Sequence, residues 1–178
     1  EQKPGITEKN RTCLEAGEDA PAVEFRDMSF TYEGAREPAL SGISFSVKRG
    51  QTVGIIGGTG SGKSTLVNLI PRFYDATEGG VLVDGHDVRE YPLDQLRGKT
   101  GVVPQKAVLF HGTLRENMQW GKKHASDGEI YEALKTAQAF EFVEEKDEGL
   151  ELYIQAGGKN LSGGQRQRLT IARALVRK

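Results

Sequence analysis

From residue 23 to residue 32, apolar positions alternate with polar ones. Val23, Phe25, Met28, Phe30 and Tyr32 share a face, with one slip near Asp27. This predicts a half-buried strand carrying a bulge. A turn follows at 34–38, and Ile43, Phe45 and Val47 then alternate with Ser44, Ser46 and Lys48, predicting a second strand. Residues 48–51 form another turn. The two strands read as a small antiparallel sheet. Residues 52–57 (TVGIIG) differ: they are short, mostly apolar and bounded by glycine, the pattern of a buried parallel strand. A helix is predicted from 62 to about 69, then short strands at 81–83 and 101–103. Ser126 and Glu129 make a capping box. It opens a helix expected to run to 140, with Ile130, Ala133, Leu134 and Ala137 as its apolar stripe. A last helix is predicted from 162 to 176, with Leu169, Ala172, Leu175 and Val176 inward. Strands and helices alternate after residue 52, which favours an α/β class with a parallel-sheet core.

Composition narrows the function. Among 178 residues, 24 are Lys or Arg and 25 are Asp or Glu, giving a net charge of −1. That balance argues against a nucleic-acid partner. Cys13 is the sole cysteine, which excludes an intrachain disulfide and fits a reducing compartment. No apolar run approaches the roughly 20 residues that span a bilayer. Residues 1–21 are polar, charged and aperiodic, and read as a linker or loosely docked tail. The chain opens on Glu1 rather than Met and closes inside a predicted helix, so it is expected to be a piece of a longer protein. Glycine stands out, at 23 residues, or about 13% against an ordinary 7% or so. The glycines are clustered.

The first cluster is Gly57-Gly58-Thr59-Gly60-Ser61-Gly62-Lys63-Ser64, which fits the phosphate-loop pattern G-x-x-x-x-G-K-[ST]. A polyphosphate needs many donors in little space. Backbone N–H groups can supply them only where glycines let the chain wrap tightly. The following helix start adds further N–H groups and a favourable dipole. Lys63 brings full positive charge to the β- and γ-phosphates, Ser64 offers its hydroxyl to Mg²⁺, and Thr65 can donate towards the α-phosphate. The second cluster, Leu161-Ser162-Gly163-Gly164-Gln165, places two glycines after a capping serine and predicts a second anion site. One nucleotide needs one cradle, so two cradles suggest that two chains share nucleotides.

With both clusters present, the chain resembles the nucleotide-binding domain of ABC (ATP-binding cassette) transporters. LSGGQ is that family's signature, and LSGGQRQRLTIARALV follows its usual continuation; the resemblance runs from about 23 to 178. It implies a P-loop NTPase core with an N-terminal antiparallel β subdomain and a helical signature subdomain at about 107–170. Residues 22–178 would be a partial domain and 1–21 a linker from a preceding membrane domain. ATP and Mg²⁺ are the implied cofactors. The resemblance assigns Tyr32 to stacking on adenine. It assigns Gln105 to Mg²⁺ and the attacking water, an amide being able to orient water without adding charge. Gly57, Thr59, Gly60, Ser61, Gly62, Lys63, Ser64 and Thr65 would hold the nucleotide. Ser162, Gly163, Gly164 and Gln165 would reach the γ-phosphate on a partner domain in a head-to-tail homo- or heterodimer.

The stretch IPRFYDATEGGVLVDGHDVREYPLDQLRGKTGVVPQKAVLFHGTLRENM resembles the exporter branch, multidrug and lipid exporters among them. That implies a membrane-spanning partner domain and a place at the cytoplasmic face of the membrane. Ala156 stands where this branch usually carries a glutamate. In the family, the strand bearing the metal Asp, the adjacent Glu and a later His all follow the signature helix. The chain is therefore expected to bind ATP without hydrolysing it efficiently, and to be less stable than the whole domain. Asp84 imitates an apolar strand ending in Asp, but Gly85 follows it rather than Glu. Two alternatives stay open: a degenerate-site regulatory subunit of a heterodimeric exporter, and a soluble ABC ATPase.

Overall fold

The structure is a computed structural model that describes Ile6, residues 13–17 and residues 19–177. Residues 1–5, 7–12 and 18 of the expected linker, and Lys178, lie outside the described residues. The chain divides into two compact units, one up to Thr100 and one from Gly101.

The first unit is built on a four-stranded sheet in the order β2-β1-β3-β4. Its strands are β1 (Val23–Phe30), β2 (Leu40–Val47), β3 (Glu78–Val83) and β4 (His86–Asp87). Every pair is antiparallel. The slip seen in sequence is a bulge: the β1–β2 register shifts between Phe25 and Met28, and Asp27 adopts φ 43°. Gly79 of β3 lies against that bulge at φ +64°, where a Cβ would stand 2.2 Å from the Asp27 carbonyl oxygen. No other residue fits there without moving the backbone. Phe25, Met28, Phe30, Val81 and Val83 bury their side chains on one face. Helix α1 (Lys63–Leu69) adds Leu66 and Leu69 to that core, and α2 (Leu93–Gly98) adds Leu96. Tyr91 is fully buried and donates its hydroxyl to the Val83 carbonyl (2.8 Å), so its one polar atom is satisfied.

Residues 13–17 are tied to this unit. The Leu14 backbone exchanges two hydrogen bonds with the Gln95 amide (2.9 and 2.6 Å). Gly17 N–H donates to the Asp84 carbonyl.

The second unit is mainly helical. It contains a two-stranded ladder of β5 (Gly112–Thr113) and β6 (Tyr153–Ile154), with helices α3 (Leu114–Gln119), α4 (Asp127–Thr136), α5 (Phe140–Glu144) and α6 (Gly163–Leu175). Leu114, Met118, Ile130, Leu134, Ile154 and Leu169 meet in its core. Thr113 with Glu116, and Ser126 with Glu129, form complete capping boxes.

Three expectations need correcting. Residues 52–57 and 101–103 form no strand. Val53, Ile55, Val102 and Val103 are exposed, and Ile56 is 98% exposed. A short parallel strand gets its hydrogen bonds and its cover from neighbours, and no ladder partner for either segment lies among the described residues. The parallel sheet expected at the centre is accordingly absent among them, and all ladders present are antiparallel. The helix expected to run to 140 ends at Thr136. Gln138 turns left-handed (φ 55°), and the Ala139→Leu134 and Gln138→Lys135 backbone bonds close the stop.

Candidate nucleotide site

Four glycines shape the phosphate loop in the first unit. Gly60 and Gly62 take φ of +82° and +84°. A Cβ on Gly62 would come within 2.6 Å of Leu40 and 3.0 Å of the Ala39 carbonyl oxygen; one on Gly57 would meet Ser61 Oγ at 2.6 Å. Gly58 has open space around it. Lys63 folds over the loop, donating from Nζ to the Gly57 carbonyl (2.8 Å), the Gly58 carbonyl (2.6 Å) and Ser61 Oγ (3.1 Å). The ammonium is thus held over the turn by acceptors it can exchange for anionic oxygens. Thr59, Ser61 and Ser64 are exposed, and Thr65 is buried.

Tyr32 is brought to the same place. Its hydroxyl lies 2.8 Å from Thr65 Oγ1, and its ring is 40% exposed. If the phenol donates, the Thr65 proton stays available for a phosphate oxygen. Phe30 and Tyr74 meet the Tyr32 ring nearly perpendicularly, at centroid distances of 4.7 and 5.5 Å. Asp84 is engaged elsewhere: Arg49 holds it at 2.6 Å and Lys99 at 2.7 Å. It anchors the turn after β3, a structural role.

The second unit carries the other candidates. Ser162 caps α6, its hydroxyl accepting from Gln165 N–H (3.2 Å), while the Gln165 side chain accepts from Ser162 N–H (2.9 Å). Gly163 and Gly164 are exposed, and a Cβ on either would meet nothing nearer than a guanidinium nitrogen at 3.9 Å. Arg166 grips the approach by donating to the Leu161 carbonyl (2.6 Å). Asn160 clamps it further, donating to the Tyr153 carbonyl and accepting from Gln155 N–H. Gln105 sits in an exposed bend. Burial pushes the Arg173 guanidinium below its ordinary value; it donates to the Val108 carbonyl and lies over the Phe110 ring.

The sequence profile of the family described as "ABC transporter" matches residues 40–178. The chain belongs to the ABC transporter family. An ATP-dependent lipid A-core flippase of Vibrio cholerae is 44% identical over 176 residues, covering 96% of this chain and 30% of that protein. A Bacillus subtilis ATP-binding/permease protein assigned to multidrug export is 46% identical over 165 residues, covering 93% and 28%. A solved bacterial Atm1-family ABC exporter with ATP bound superposes with a TM-score of 0.87 at 37% identity, covering 97% of this chain and 30% of that one. The chain thus spans about three-tenths of the length of the relatives it matches. Its fold is that of the ABC nucleotide-binding domain, antiparallel β unit included, and such a domain binds ATP.

Within this ABC fold, the first unit groups Tyr32, Lys63, Ser64 and Thr65, while Gln105 and the signature belong to the second. Sequence reasoning passed over Tyr74, whose signal was an aromatic soon after the phosphate-loop helix. It also passed over Asn117, which is buried and holds the 110–113 turn through Phe110 and Thr113. No cluster of three or more His, Cys, Asp or Glu able to hold a metal occurs among the described residues, and no helix among them is long and apolar enough to cross a membrane.

Proposed function

We propose that this chain is the ATP-binding motor domain of an exporter that moves a lipid or other amphipathic molecule across a membrane. The observation that carries the reading is the phosphate loop. Gly60 and Gly62 turn left-handed, and the Lys63 ammonium lies over the turn within 3.1 Å of three acceptors. Arriving phosphate oxygens would take those donations over. Loop N–H groups would hold the phosphates, and Tyr32 would carry the adenine ring.

Mg²⁺ fits only in part: the exposed Ser64 hydroxyl offers one oxygen, and the phosphates and water would supply the rest. Bound there, the ion would neutralise charge on the β- and γ-phosphates. Gln105 would orient water through its amide. Ser162, Gly163, Gly164 and Gln165 would meet the γ-phosphate held by a partner domain. Because the Ser162 and Gln165 side chains cap each other, main-chain N–H groups would carry that contact. In this reading the whole transporter hydrolyses ATP, with this domain paired to a second one and to a membrane-spanning domain at the cytoplasmic face. The 178-residue stretch alone would bind ATP with little turnover, and Asp84, whose place at the end of an apolar strand imitates the metal Asp, is held instead by Arg49 and Lys99.

Calorimetric titration of ATP with Mg²⁺ into wild-type protein and Lys63→Ala tests the reading. Wild-type binding that weakens at least tenfold in Lys63→Ala supports it. No wild-type binding, or equal binding by the variant, overturns it.

A further inference from the structure

We propose that Tyr74 is a positioning residue of a purine-binding platform, holding the Tyr32 ring in the plane that accepts the base. The inference rests on the ATP-binding reading above and adds a residue to it. Three aromatic rings stand together: Phe30, Tyr32 and Tyr74. Phe30 is buried, while Tyr32 and Tyr74 are 40% and 38% exposed. Each lies within ring-contact distance of the other two, at 4.7 Å for Phe30–Tyr32, 5.3 Å for Phe30–Tyr74 and 5.5 Å for Tyr32–Tyr74. The two contacts on Tyr32 are both near-perpendicular, at 83°, so neither neighbour is stacked parallel on it. With Thr65 holding its hydroxyl, Tyr32 is restrained at the ring and at the tip.

Tyr74 is itself held firmly. It lies in the turn after α1, between Arg72 and Asp75. The buried Arg72 grips Asp75 with two hydrogen bonds (2.6 and 3.0 Å) across that turn. Arg72 has a left-handed backbone (φ 54°). Arg97 donates to the Pro71 and Arg72 carbonyls, fixing the same turn from outside. A ring mounted on such a turn restricts its neighbour before any ligand arrives, and a prepositioned ring loses less freedom on stacking. The residue chemistry points to a flat, π-bearing base.

The test compares ATP with inorganic tripolyphosphate, which has the phosphates and no base, by calorimetry on wild type, Tyr74→Leu, Tyr74→Met and Tyr74→Phe. Tyr74→Leu should weaken ATP binding about three- to tenfold and leave tripolyphosphate binding unchanged. Tyr74→Met, which fills the space without a ring, should behave alike, and Tyr74→Phe should stay within about twofold of wild type. Unchanged ATP binding in both ringless variants overturns the inference while the ATP reading stands. Parallel loss of ATP and tripolyphosphate in both overturns it too, because the role is then structural. Wild-type protein that binds tripolyphosphate as tightly as ATP overturns the base site and this inference together.

Discussion

The Tyr32 hydroxyl lies 2.8 Å from Thr65 Oγ1, joining the exposed aromatic after β1 to a buried hydroxyl on the phosphate-loop helix. Tyr32→Phe keeps the ring and leaves the Thr65 hydroxyl short of a partner. It should lower stability by about 1–2 kcal/mol while changing ATP affinity no more than about threefold. Tyr32→Ala removes the stacking surface and should weaken ATP about tenfold or more. Urea melts and calorimetry on both variants check the split; equal ATP affinity in Tyr32→Ala would refute a stacking role.

Gly62 combines a left-handed backbone with a close approach to Leu40 and Ala39. Gly62→Ala should therefore cost at least about 2 kcal/mol, from the left-handed penalty and the clash together. Gly58→Ala, in open space, should cost much less. Thermal melts of the two variants should separate clearly, and a Gly62→Ala protein as stable as wild type would contradict the geometry.

Asp84 joins Arg49 and Lys99 at the turn after β3, and its own side chain is only 9% exposed. Its backbone is left-handed (φ 51°), a conformation asparagine tolerates. Asp84→Asn thus removes charge with little strain. It should destabilise by about 1–3 kcal/mol, with any ATP binding retained. Loss of ATP binding in a folded Asp84→Asn protein would show that the carboxylate serves the nucleotide instead.

Glu129 caps α4. Its hydrogen bond with Lys122, and those with the Ser126 backbone and hydroxyl, lower its pKa from 4.5 to about 2. A carboxyl more acidic when folded stabilises the fold while ionised. Its contribution should be fully present above about pH 4.5 and be lost as pH falls towards 2. Glu129→Gln should be less stable than wild type at neutral pH, the gap closing in acid. Denaturant midpoints across that range test this, and a gap independent of pH would rule it out.

Local chemistry was legible in the sequence, and long-range cover was not. The Asp27 slip gave the bulge, and Ser126 with Glu129 gave the start of α4, because both features depend on near neighbours. The phosphate loop and the signature could be read because glycine spacing encodes backbone shape directly. Residues 52–57 misled because an apolar run becomes a strand only beside a hydrogen-bonded neighbour. The end of α4 misled because Gln138 holds the left-handed position that glycine usually announces. Tyr74 went unnoticed because its contacts with Phe30 and Tyr32 join segments far apart in sequence. The short strands β5 and β6 have two residues each, too few to show any alternation.

The first turn of α6 has a consequence for engineering. Gly163 and Gly164 occupy helical positions where a methyl group would meet only a guanidinium nitrogen at 3.9 Å, and each forgoes up to roughly 1 kcal/mol of helix stability relative to alanine. A screen for thermal robustness would therefore be drawn to this turn. Heat resistance gained there by filling the two positions would stiffen and screen the main chain that we assign to the partner's phosphate, so the hardiest clones would be the ones to assay first for lost transport.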